Sequence, residues 1–174
     1  MQKQRDTVLW DHGSGDSGDS CKKSVGRGGA VLHLWLSGRG TSFSRPAFFR
    51  KFIEYTEKYK KPETSLSFCI QTNGTLIDEE WIEFLKQHHF LTGISMDGIQ
   101  EIHDRNRKDA GGKETFKKVL KNARFLQNAG VNVNILCVLT KQSARKIRSI
   151  YNFLKKQGFY YQQYIPCLDP LGEE

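Results

Sequence analysis

SLSFCIQTNG, Ser65–Gly74, runs almost directly into LIDEEWIEFLKQHHF, Leu76–Phe90, and then LTGISMDG, Leu91–Gly98. Leu66, Phe68 and Ile70 alternate with Ser67 and Cys69, the two-residue period of a strand, and Gly74 ends the run. Asp78 can cap a helix whose first turn carries Glu79 and Glu80 and whose apolar stripe is Trp81, Ile82 and Leu85. LTGISMDG reads as a second short strand. Strand, helix, strand is the unit of a parallel sheet covered by helices.

The same alternation continues outward in both directions. AFFRKFIEYTEKYKK, from Ala47, places Phe49, Phe52, Ile53 and Thr56 along one side of a helix. Beyond a polar loop, KETFKKVLKNARFLQNAG sets Phe116, Val119, Leu120 and Ala123 on one face, and Gly130 stops it. VNVNILCVLT is a strand with Val131, Val133, Ile135, Cys137 and Leu139 on one side. SARKIRSIYNFLKKQG reads as one helix stopped by Gly158, and FYYQQYIPCLDP as the last strand. Helix and strand therefore alternate four times from Ala47 to the end. A flavodoxin-like open sheet and an incomplete (β/α) barrel both fit this α/β pattern.

A hydrophobic content of 37% in 174 residues allows one real core. The net charge of +8 is spread through helices, as in KKVLKNARFL, which reads as solvated faces. No nucleic acid partner is expected from it. No run approaches a membrane span, and no apolar signal segment follows Met1, so a cytoplasmic protein without membrane contact is expected. The four cysteines, Cys21, Cys69, Cys137 and Cys167, show no CxxC spacing, so no local metal motif is read from them.

In both architectures working residues gather where strands end. The strand ends carry Gln71 and Asn73, then Ser95 and Asp97, then Thr140, then Cys167 and Asp169. Amides and a hydroxyl suit a polar small molecule, and Asn73-Gly74 also suits a turn. Arg107, in the charge-dense IHDRNRKD, suits a carboxylate or ribose. His103 in the same loop has no partner at metal-ligand spacing.

CIQTNGTLIDEEWIEFL, GISMDGIQEIHDRNRKD, NVNILCVLT and YIPCLDPL, in this order, resemble the radical S-adenosylmethionine (SAM) enzymes called anaerobic sulfatase-maturating enzymes. The resemblance runs from about Ala47 to Glu174. It implies an incomplete (β/α) barrel of about four parallel strands. In that family a 4Fe-4S cluster held by CxxxCxxC reduces SAM, and the radical formed oxidises a Cys or Ser of a sulfatase polypeptide to formylglycine. The resemblance assigns Ser95 and Arg107 to SAM, Leu168 to the adenine and Gln71 to the substrate side of the site. No catalytic residue is carried over. The sequence departs from the family by lacking CxxxCxxC and the GGEP strand end. The 4Fe-4S cluster is not expected to bind this chain, and the chain as given is expected to be inactive. The alternative class is a non-enzymatic basic α/β binding module.

Residues 1–46 differ from the rest. Half of the sixteen glycines lie before Thr41. LSGRGTSFSRP, Leu36–Pro46, stands where GGEP belongs. Back-translated and shifted one base forward, it is compatible with FQGGEPLLAGL. Leu9-Trp10-Asp11-His12 is likewise compatible with YGIM, another family string. The expectation is an irregular leader, residues 1–46, translated out of frame, followed by a partial barrel, residues 47–174.

Overall fold

The computed structural model describes residues 20–26, 29–37 and 46–167, the first two stretches as backbone. The elements are β1 (Ser20–Gly26), β2 (Gly29–Ser37), α1 (Pro46–Tyr59), β3 (Thr64–Thr72), α2 (Glu79–Gln87) and β4 (Leu91–Ser95). They continue with α3 (Gln100–Asn106), α4 (Phe116–Asn128), β5 (Asn132–Leu139), α5 (Lys141–Arg145), α6 (Ile147–Lys156) and β6 (Gln162–Pro166).

One sheet runs in the order β1-β2-β3-β4-β5-β6. The four expected strands, β3 to β6, are parallel, β2 joins β3 in parallel, and β1 pairs antiparallel with β2. This order decides between the two candidate architectures. A doubly wound sheet must reverse its strand order, and this one never does. Crossovers of one hand then put every helix on the same face, and the sheet curves into an incomplete barrel. The core shows that face directly. Phe68, Ile70, Ile94, Met96, Val133, Ile135 and Cys137 form a single cluster with Phe49 of α1, Phe84 of α2, Ile102 of α3, Val119 of α4 and Ile150 of α6.

The alternate residues of the same strands point to the open, concave face. Gly93 locates it: a Cβ there would meet Leu136 Cδ1 at 2.5 Å and Gln71 Cγ at 3.3 Å. Gln71, Gly93 and Leu136 therefore share one face, and Ser95 follows two residues beyond Gly93.

Three features differ from the sequence expectation. IHDRNRKD is mostly helix, and Ile102, His103 and Asp104 of α3 are buried. The expected helix from Ser143 to Gly158 is two helices. Thr140 and Ser143 cap each other at the start of α5, and Lys146 interrupts before α6 with φ −109° and ψ 15°. Residues 1–46 contain β1 and β2. Their Gly/Ser-rich average masked the apolar run AVLHLWL, Ala30–Leu36.

Candidate functional site

The C-terminal rim of the sheet is built by loops whose own polar groups hold them. After β3, Thr72 Oγ1 accepts from Gly74 N–H at 3.2 Å. Asn73 Oδ1 accepts from Thr75 N–H at 3.1 Å and from its hydroxyl at 2.9 Å. Of its two sequence readings, Asn73 thus takes the turn role. Asn122 of α4 fastens this loop from behind, donating to the Gly74 carbonyl at 2.8 Å. Gln71, half-buried on the concave face beside Gly93, makes no side-chain hydrogen bond among the described residues. Its amide is available to a ligand.

Ser95 ends β4, half-buried, and its hydroxyl is likewise uncommitted. Two residues on, Asp97 is the hub of the rim. Its side chain is 2% exposed and pairs with Arg107, whose side chain is 28% exposed. Arg107 Nε donates to Oδ2 at 2.8 Å and Nη2 to Oδ1 at 3.0 Å. Oδ1 also accepts from Val138 N–H of β5 at 3.0 Å, so one carboxylate joins two strand ends and the arginine.

Behind it lies a buried relay. Asp97 N–H donates to His103 Nδ1 at 3.3 Å, which leaves the proton on Nε2. Nε2 donates to Thr115 Oγ1 at 3.0 Å, and Thr115 donates to the Arg107 carbonyl at 2.8 Å. Burial pushes the His103 pKa down to about 4, with Arg107 acting in the same direction and Asp97 and Asp104 opposing it. Both ring nitrogens are engaged, so His103 is a structural residue. Asp104 Oδ1 accepts from Thr115 N–H at 3.0 Å and Phe116 N–H at 2.8 Å, capping α4 from outside its own helix. This network turns the charge-dense loop back onto the rim.

The structure brings Gln71, Ser95 and Arg107 to one rim of the sheet. Leu168 lies outside the described residues. Asp97, His103, Asp104 and Thr115 were not singled out as a unit by sequence. The signal was the density of hydrogen-bonding residues between two predicted elements, with an apolar Ile102 among them.

The cysteines do not provide a cluster site among the described residues. Cys69 and Cys137 are buried and Cys167 is exposed. Cys137 belongs to the helix-facing core, whereas Cys69 alternates with Phe68 and Ile70 and faces the other way. Burial pushes the Cys69 thiol up and the Cys137 thiol up to about 12, and Cys137 is raised further by Asp97. No group of three His, Cys, Asp or Glu among the described residues is placed to hold a metal ion. No helix among them is long and apolar enough to cross a membrane.

Comparison with known proteins fits this geometry. A model of the radical SAM superfamily matches residues 24–154. The cysteine-type anaerobic sulfatase-maturating enzyme of Clostridium novyi (strain NT) is 46% identical over 126 residues, 72% of this chain and 34% of the relative. The serine-type enzyme of Bacteroides thetaiotaomicron is 38% identical over 140 residues, 80% of this chain and 33% of the relative. The solved structure of native anSMEcpe with bound AdoMet matches at 42% identity with a TM-score of 0.76, covering 82% of this chain and 39% of that one. The chain spans about a third of the length of these curated relatives. The model match over most of the chain and the identity to these relatives show that the chain belongs to the radical SAM superfamily, where it groups with the anaerobic sulfatase-maturating enzymes.

Proposed function

We propose that this chain is the SAM-binding portion of an enzyme that oxidises a Cys or Ser of a sulfatase polypeptide to formylglycine. The observation that carries this reading is the rim itself. Ser95 at the end of β4 and Arg107 at the end of α3 both present unused hydrogen-bonding groups there, on the side of the sheet where this fold binds its ligand. Ser95 and Arg107 hold SAM, Leu168 packs on its adenine, and Gln71 faces the polypeptide substrate. The cluster and SAM of the family supply the radical chemistry, and a protein of this kind binds and orients them. This chain's part is to bind and orient SAM. Its setting is cytoplasmic.

As given, the chain does not turn over. Its sequence contains no CxxxCxxC. Residues before about Ala47 are an out-of-frame translation, and the nucleotide sequence through codons Gln2 to Phe49 tests that directly. The shifted frame must spell FQGGEP and YGIM, or the leader is genuine.

Calorimetric titration of the whole chain with SAM tests the binding role. Ser95→Ala and Arg107→Ala each weaken binding, Arg107→Ala on the order of tenfold or more, since a charged hydrogen bond is removed. Unchanged affinity in both variants removes these residues from the site. Anaerobic reconstitution with iron and sulfide yields no deoxyadenosine from SAM. Its formation would disprove the inactivity of the chain as given.

A further inference from the structure

We propose that Asp97 is a positioning residue, which fixes Arg107 so that the free edge of its guanidinium receives a ligand carboxylate end-on. The proposal rests on the SAM reading above, because the amino-acid part of SAM carries the carboxylate in question.

An arginine has five N–H groups in a planar fork. Asp97 accepts Nε–H and one N–H of Nη2, the side-on edge of that fork. Both N–H groups of Nη1 and the second of Nη2 make no hydrogen bond among the described residues. One N–H of Nη1 and the second of Nη2 form the terminal edge, which matches a second carboxylate in bidentate fashion. The asymmetry of burial sets the direction. Asp97 is nearly inaccessible while Arg107 is partly exposed, so the open side of the pair is the arginine's.

Asp97 is itself over-determined. The Val138 N–H ties its Oδ1 to β5, and its backbone N–H is tied to His103. The Arg107 carbonyl is held in turn by Thr115. Both ends of the arginine residue, backbone and guanidinium, are thus anchored. A long side chain loses rotamer freedom when it binds a ligand. Here that loss has been met in advance by folding. The charge of Arg107 is also balanced by Asp97, so the geometry of the N–H groups, more than net charge, selects the ligand.

The test uses the whole chain and two nucleosides, SAM and methylthioadenosine, which keeps the nucleoside but has no amino-acid part. Asp97→Asn keeps an oxygen for Val138 N–H but sets an amide NH2 against Nε–H. It weakens SAM on the order of tenfold and leaves methylthioadenosine within about twofold. Equal loss for both nucleosides, or none for SAM, overturns the positioning role. Arg107→Ala separates the two ideas. If it leaves SAM binding unchanged, the SAM reading of Arg107 fails. If it weakens SAM while Asp97→Asn does not, only the positioning role fails. A wild-type chain that binds neither nucleoside removes both.

A second measurement needs no variant. In wild-type protein the Arg107 Nε–H proton resonance is protected from exchange, and it stays so when SAM is added while the Nη resonances shift. Loss of that protection on SAM binding means that the ligand displaces Asp97, and the proposal is overturned.

Discussion

His103 is fully buried and neutral at pH 7, because burial disfavours its charged form. Nδ1 must accept from the Asp97 N–H. A proton on Nδ1 would set donor against donor in a site that water does not reach. The sign of the resulting pH dependence follows. The folded-state pKa, about 4, lies below the ordinary 6.5, so the unfolded chain binds the proton first. The stabilisation is complete above pH 6.5 and is lost as pH falls through about 4. A fall of this size corresponds to about 3 kcal/mol. Urea unfolding at pH 7 and at pH 4.5 will show a loss of stability in wild type, whereas His103→Gln is less stable at pH 7 and flatter between the two. Parallel profiles would mean that another group titrates.

Among elements, the turn from β4 into α3 is the most constrained. Gly98 follows Asp97 with φ +83°, where a Cβ would lie 2.4 Å from Ile150 Cγ2. The clash is with a β-branched side chain fully buried in the core, so it cannot swing away. Both the left-handed backbone and the close approach of α6 require glycine here. Gly98→Ala will cost about 3 kcal/mol or more in thermal or denaturant unfolding. A loss below about 1 kcal/mol would show that α6 can retreat from the turn. Helix α2 shows the opposite case, an element whose ends are set locally. Asp78 Oδ1 accepts from Trp81 N–H at 2.9 Å, as the sequence predicts.

At the scale of the whole molecule, the sheet has two unlike edges among the described residues. β1 is one edge, paired antiparallel with β2. β6 carries no charge in Gln162–Pro166, Ile165 is exposed, and Tyr160 and Tyr161 beside it are more than 70% exposed. Its backbone groups and apolar side chains offer a template for another strand. Sedimentation velocity will show association that rises with protein concentration and that Ile165→Lys suppresses. A monomer at all concentrations would mean that this edge is covered. The dispersed positive charge does not oppose such pairing, since none of it lies on β6.

What the sequence by itself determined was local. Period two and period three-to-four hydrophobicity marked β3 to β6 and the helices α1, α2 and α4. Strand ends then marked Gln71 and Ser95, and the charge-dense loop after β4 marked Arg107, because parallel α/β units place their loops at this rim. Those signals lie within a few residues of one another, so a linear reading captures them. Only the tertiary structure decided the rest. Strand order excluded the doubly wound sheet, and order is a property of pairing between segments far apart in the chain. α3 was hidden by its polar composition, since His103 and Asp104 are buried against partners supplied by Asp97 and by the start of α4. The same distance hid the role of Asp97, which the sequence marked only as a strand-end residue. A single aspartate after a short strand carries no periodicity, and its role emerges only when Arg107, Val138 and His103 converge on it in the folded chain.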